Sequence, residues 1–179
     1  MKKFVFATLM CVAAMSAKAQ VLTSETVNHV YEALSNNEKS EFVFNAEKSG
    51  NDITTMYIYK KDFDNGTSTL LPYAKYEYTY AVDGSLTSKT TYRYSNKQTW
   101  ECTGRHNYSI ADCVYFAEYS RYNKATKKFD QPIDKMVYTL ISGDSVNYVS
   151  CYHRNSPDSA FKLISKSAID NLPILLAKK

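Results

Sequence analysis

Lys75-Tyr76-Glu77-Tyr78-Thr79-Tyr80 is the stretch that decides the fold. Side chains alternate between faces along a strand, so Tyr76, Tyr78 and Tyr80 share one face while Lys75, Glu77 and Thr79 share the other. Aromatic and polar residues in strict alternation describe a strand with one buried side. Tyr92 and Tyr94 alternate with Thr91 and Arg93 in the same manner. Between the two runs lies Val82-Asp83-Gly84-Ser85, where glycine supplies the positive φ of a hairpin turn. A two-residue loop and a five-residue loop both fit there, and they put Leu86 on opposite faces.

The pattern recurs. Segments starting at Lys75, Arg105 and Lys135 align without gaps, with Tyr78, Tyr108 and Tyr138 spaced by 30 residues. Tyr92, Tyr122 and Tyr152 are again 30 apart, and a large aromatic follows at Trp100, Phe129 and Phe161. A looser first unit starts near Glu41, with Phe42-Val43-Phe44 and Tyr57-Ile58-Tyr59. Recurrence at a fixed period marks a repeat architecture. Each ~30-residue unit reads as a β-hairpin. The chain is therefore expected to be all-β: an antiparallel meander of about eight strands over residues 41–165.

The ends differ from the repeats. Ser24 can cap a helix with Val27, Val30, Tyr31 and Leu34 on one side, stopped by Asn36-Asn37, so residues 20–40 read as an N-terminal cap. Leu163, Ile164, Ile169 and Leu172 look half-buried, and Pro173 ends any helix before Ile174, so 166–179 read as a tail and C-terminal cap. Residues 1–19 read as a signal peptide. Lys2 and Lys3 are followed by an apolar or small-residue run from Phe4 to Met15, then Ala17-Lys18-Ala19. That run is too short to cross a bilayer, which takes ~20 residues. Cleavage after Ala19 makes the protein periplasmic or extracellular, with no transmembrane segment in the mature chain.

Composition narrows the function classes. The chain of 179 residues is 44% hydrophobic and holds 16 tyrosines against 5 glycines and 4 prolines, which excludes collagen-like and low-complexity readings. The net charge of +4 falls to +1 once Lys2, Lys3 and Lys18 are removed with the leader. A general affinity for nucleic acid is not implied. Past the leader three cysteines remain, Cys102, Cys113 and Cys151, so a disulfide scaffold is excluded.

Several segments resemble a known family. Leu70-Leu71-Pro72-Tyr73-Ala74-Lys75-Tyr76-Glu77-Tyr78-Thr79-Tyr80, Asp83-Gly84-Ser85-Leu86, Lys89-Thr90-Thr91-Tyr92 and Lys97-Gln98-Thr99-Trp100-Glu101 are similar to motifs of the secreted Bacteroidetes domain-of-unknown-function family 3836. The resemblance covers roughly residues 41–165 and departs from the pattern at Cys151-Tyr152-His153-Arg154. It implies secretion and a β meander, and supplies no catalytic residues.

No strong catalytic motif occurs: there is no Gly-rich phosphate loop, nucleophile elbow or His-Glu-x-x-His. Cys151 and His153 share a strand face and could hold zinc with His106 and Cys113, yet these occupy non-equivalent places in their units. A Cys-His hydrolase lacks a visible orienting group and oxyanion hole. Glu77 and Glu101 could pair for glycoside cleavage, but both fall on polar faces where a solvated charge is the default. The expectation is no catalytic residue, no metal and no cofactor.

Most tyrosines read as core, with the ring hidden and the hydroxyl wet. A surplus remains, and Trp100, Tyr92 and Tyr94 are the candidates for a binding surface. Asp144-Ser145-Val146 and Asp158-Ser159-Ala160 resemble Asp-Ser/Thr-aliphatic acceptors of O-linked glycans, which makes Ser145 and Ser159 candidate modification sites. The sequence thus points to an exported, non-enzymatic binding or structural module at the cell envelope, with a glycan or an envelope protein as partner. The alternative is a secreted glycan-active enzyme.

Overall fold

The computed structural model describes residues 22–64, 67–111, 114–139 and 147–169. Residues 1–19, expected to be a signal peptide, Cys113, Ser145, and Leu172 and Pro173 of the expected tail lie outside the described residues.

Among the described residues one helix precedes ten strands. α1 (Ser24–Ser35) is followed by β1 (Phe42–Ser49), β2 (Asp52–Asp64), β3 (Thr67–Tyr80), β4 (Leu86–Tyr94) and β5 (Trp100–Ala111). Then come β6 (Val114–Asn123), β7 (Lys128–Phe129), β8 (Asp134–Thr139), β9 (Asn147–His153) and β10 (Lys162–Ile169). All ten form one antiparallel sheet in chain order, with β7 on a short branch off β6. β1 and β10 are its edges, and the sheet does not close.

The eight expected strands are the four hairpins β1–β2, β3–β4, β5–β6 and β8–β9. The other two are the two-residue β7 and the edge strand β10. β10 corrects the expectation of a C-terminal cap: residues 162–169 pair with β9, so the boundary drawn at 165 falls inside a strand. Leu163 and Ile164, expected half-buried, are 53% and 67% exposed. Their strand pairs on one side only and nothing among the described residues is layered over it. Alternating apolar residues at an edge cannot be told from a capping segment by pattern alone.

The helix forms as the spacing requires, though its cap is Thr23 rather than Ser24. Thr23 Oγ1 accepts from the Thr26 N–H and Thr26 Oγ1 accepts from the Thr23 N–H, both at 3.3 Å, so the pair closes a reciprocal box. Asn36 ends the helix. Val27 is buried, and Tyr31 and Leu34 pack on the core beside β1 and β2.

The β3–β4 connection takes the longer loop. Ala81 N–H donates to Ser85 O at 2.8 Å, and Gly84 adopts φ 81°. Tyr80 then faces Leu86, which puts Leu86 inside at 5% exposure. The Tyr76 face of β3 is the core face: Ala74, Tyr76 and Tyr78 are buried there with Met56 and Ile58 of β2. Across the following strands an aromatic ladder continues this face. Tyr119, His106, Tyr108, Tyr115 and Tyr138 succeed one another at ring separations of 5.0, 6.3, 6.1 and 5.6 Å. Tyr78, Tyr108 and Tyr138 thus stand in the first strands of three successive hairpins, on the inner side.

Candidate functional site

Register places the aromatic candidates on the other face of the sheet. Lys75 opposes Tyr57 on β2 and Tyr92 on β4, and Tyr92 opposes Cys102 on β5. Directly opposed residues share a face, so this row lies behind Tyr76 and Tyr78. Tyr94 opposes Trp100 at the same end.

Three rings meet there. Trp100 lies 5.0 Å from Tyr94 in an edge-on arrangement and 6.1 Å from Tyr57. All three are half-buried, so each shows part of a ring to solvent. Tyr57 is anchored by its hydroxyl, which donates to Glu47 Oε1 at 3.1 Å. Burial, then that bond, raises its phenol above the usual range. Sequence reasoning missed Tyr57 as a member of this group. Its signal was the Tyr57-Ile58-Tyr59 alternation, which becomes informative only when the β2–β3 register is known.

Tyr92 lies two residues before Tyr94 on β4, one step from the trio. Its hydroxyl donates to Glu77 Oε2 at 2.6 Å, Lys75 Nζ donates to Glu77 Oε1 at 2.6 Å, and the same ammonium sits 4.3 Å from the Tyr92 ring centre. Burial raises the Glu77 carboxyl, but the bonds from Lys75 and Tyr92 outweigh it and hold the group below the usual range. Burial and the bond to Glu77 push the Tyr92 phenol up. Tyr92 is therefore a braced wall beside the trio rather than a free ring. Farther along this face the cations again lie on rings: Arg105 is 4.2 Å from the Phe129 centre and Lys135 4.5 Å from that of Phe116. Such contacts contribute about 0.5–1 kcal/mol each at exposed sites. The polar face is thus an aromatic-and-cation layer, where the sequence suggested plain solvated charge.

The carboxylates weighed for glycoside cleavage are separately engaged. Glu77 is tied as above, and Glu101 is bonded to Lys124, which lowers its carboxyl. A glycosidase pair needs one carboxyl kept protonated near neutral pH, which requires a raised value.

The zinc candidates also separate. His153 Nδ1 shares a hydrogen bond of 2.7 Å with Asp134 Oδ1, Cys151 opposes Met136, and His106 lies three strands away on β5. Among the described residues no group of three His, Cys, Asp or Glu gathers where a metal could sit. Cys102 and Cys151 are free thiols. Ser159 is half-buried, its hydroxyl donating to Ser156 O at 2.8 Å and accepting from Ser156 N–H at 3.1 Å.

One cation on the core face was not singled out by sequence. Lys89 opposes Tyr78 on one side and His106 on the other, with its ammonium 5.1 Å from the Tyr76 ring centre. Burial lowers its pKa to about 8, and burial together with Lys89 pushes the His106 imidazole down to about 3. His106 Nδ1 is buried without a hydrogen-bond partner among the described residues. Between pH 8 and the ordinary lysine value of 10.5 the unfolded chain holds a proton that the folded chain has lost. This group alone makes stability rise with pH there, by at most ~1.4 kcal/mol per pH unit for one proton. From about pH 9 the buried phenols reverse the slope, because together they keep more protons than Lys89 has lost. Lys89→Met should be more stable at pH 7 and should lack the rise between about pH 8 and 9, as read from urea midpoints. An unchanged slope would show that Lys89 stays charged in the fold.

The fold and this face define a class of protein: an open, single-sheet meander with one helix on its inner side and a ring-bearing outer side. The sequence profile described as "Family of unknown function (DUF3836)" matches residues 1–140, and the chain belongs to that family. A solved protein of unknown function from Bacteroides fragilis is 28% identical, with a TM-score of 0.62 over 76% of this chain and 96% of that one. Family members from Bacteroides vulgatus and Parabacteroides distasonis are 20% and 18% identical, with TM-scores of 0.45 and 0.47. They cover 60% and 54% of this chain, and 98% and 87% of their own. No curated protein matches the chain.

Proposed function

We propose that this protein is an exported, non-catalytic binding module that presents Tyr57, Tyr94 and Trp100 to glycans at the cell envelope. The carrying observation is the contact of three half-buried rings, from three strands, on the uncovered side of the sheet. Tyrosine and tryptophan offer a flat apolar face with a polar edge, which suits the C–H face and hydroxyl rim of a sugar. They are also the residue types that carry most binding energy at protein surfaces. The strand scaffold fixes them before a ligand arrives, so little ordering entropy is lost on binding. The bound states of Glu77 and Glu101 favour binding over hydrolysis.

A glycan array probed with the purified protein tests this reading. Wild type should retain a defined set of glycans, and Trp100→Ala should weaken them at least ~tenfold, about 1.4 kcal/mol, while Trp100→Phe keeps part of the affinity. An array without signal above background, or equal binding by Trp100→Ala, overturns it. Capture of an envelope protein in place of any glycan would move the partner class instead.

A further inference from the structure

On the core face, remote from Trp100, the sheet parts. β4 pairs with β5 only from Ser88 opposite Asn107 onward, whereas Tyr108–Ala111 of β5 pair with β6 alone. The free end of β4 is taken by the residues before the helix. Leu86 N–H donates to Leu22 O at 2.7 Å, Ser24 N–H donates to Gly84 O at 3.1 Å, and Thr23 bridges Ser85. Between the two diverging ends lies a cleft of about 460 Å³, a size that suits a small ligand.

Its walls have a consistent chemistry. Tyr108 and Tyr115 line one side with rings stacked at 6.1 Å and 18°, joined by Ile110, and Leu86 lies opposite. The polar lining is Thr23, Asp83, Ser85, Thr87 and Ser109, and two of these hydroxyls already spend their protons inside the protein. Ser85 Oγ donates its proton to Asp83 Oδ1 at 2.6 Å, Thr87 Oγ1 donates to Thr79 O at 2.9 Å, and the Asp83 carboxylate is itself an acceptor. No lysine, arginine or histidine is among the residues lining the cleft. One hydroxyl is out of place in a finished core: Tyr115 is 3% exposed, yet its oxygen has no partner among the described residues. An unmade hydrogen bond on a buried hydroxyl is costly.

We infer that this cleft binds a single neutral sugar ring, with its apolar face on Tyr108 and Ile110 and its hydroxyls donating to Asp83, Ser85 and Thr87. A carboxylate, two hydroxyls whose protons are already engaged and no cation disfavour anions and suit a ligand rich in hydroxyl donors. The site stands apart from the Tyr57–Tyr94–Trp100 face and does not rest on it.

Saturation-transfer NMR of the full protein with glucose, galactose, mannose, N-acetylglucosamine and xylose, and with glucuronate as the charged control, is the test. At least one neutral sugar should bind and outcompete glucuronate, with binding kept in Trp100→Ala. Ser109→Trp, a change at an exposed position that narrows the mouth, should reduce binding at least tenfold. Tyr115→Phe should melt at or above the wild-type temperature without sugar. If no neutral sugar binds, if glucuronate binds as well, or if Ser109→Trp binds like wild type, the inference is overturned. Retained cleft binding with loss of the array signal separates this site's fate from that of the outer face.

Discussion

Tyr138→Ala should cost ~3–5 kcal/mol of stability, the range for removing a large buried ring. A domain of this kind has only ~5–15 kcal/mol in all, so the variant should sit near the edge of folding. Tyr138 is 1% exposed, with its ring 5.6 Å from Tyr115 and its hydroxyl donating to Met136 Sδ at 3.4 Å. It lies in β8, between β6 and β9, so the strands on either side are fixed and cannot collapse fully into the gap. Tyr138→Phe keeps the ring and gives up only a weak bond to sulfur, so it should lose less than ~1 kcal/mol. Urea midpoints of the three proteins decide the point. Equal midpoints for wild type and Tyr138→Ala would show that the tyrosine column is not what holds the sheet.

The second large effect comes from the smallest side chain in the sheet. A Cβ at Gly104 would stand 2.4 Å from Tyr119 Oη, 2.5 Å from Cε2 and 2.7 Å from Cζ. Those distances are well inside contact, and two of the atoms belong to the ring rather than to its tip. The Tyr119 ring would have to leave its place 5.0 Å from His106. Gly104→Ala should therefore destabilise by ~1–3 kcal/mol, the usual cost of overpacking. The origin is the crossing ring, so Gly104→Ala combined with Tyr119→Leu should be less harmful than the sum of the two single changes. Strict additivity in urea unfolding would place the damage in the backbone instead.

Much of this architecture was legible because strands write their faces into the sequence. Tyr76, Tyr78 and Tyr80 against Lys75, Glu77 and Thr79 fixed the inner side of β3, and the 30-residue spacing carried the same reading to Tyr108 and Tyr138. The helix was legible from Val27, Tyr31 and Leu34, with an error of one residue at its cap. Three things were not legible. Leu163 and Ile164 alternate into an edge strand whose lack of cover is a property of the whole sheet, not of the segment. The loop at Asp83-Gly84 admitted two lengths, and only the bond from Ala81 to Ser85 selects one. The trio at Trp100 needs Tyr57, 43 positions earlier in the chain, and pattern within a hairpin says nothing about a ring two hairpins away. The cleft depends on where β4 and β5 stop pairing, which no local residue announces.

The order of the sheet is the order of the chain, broken only where β6 passes over the two-residue β7 to reach β8. Every major strand thus finds its partner among the next few dozen residues, and the loops to be closed are short. Loop closure is the entropic toll that slows most all-β proteins, and a meander minimises it. A chain emerging with its N-terminus first can settle each hairpin as its second strand appears, laying it against the edge left by the one before. Helix α1 and the turn that Leu22 and Ser24 grip are complete by the time β4 begins. Assembly in this protein can proceed as addition to a growing edge, from β1 at one side of the sheet to β10 at the other.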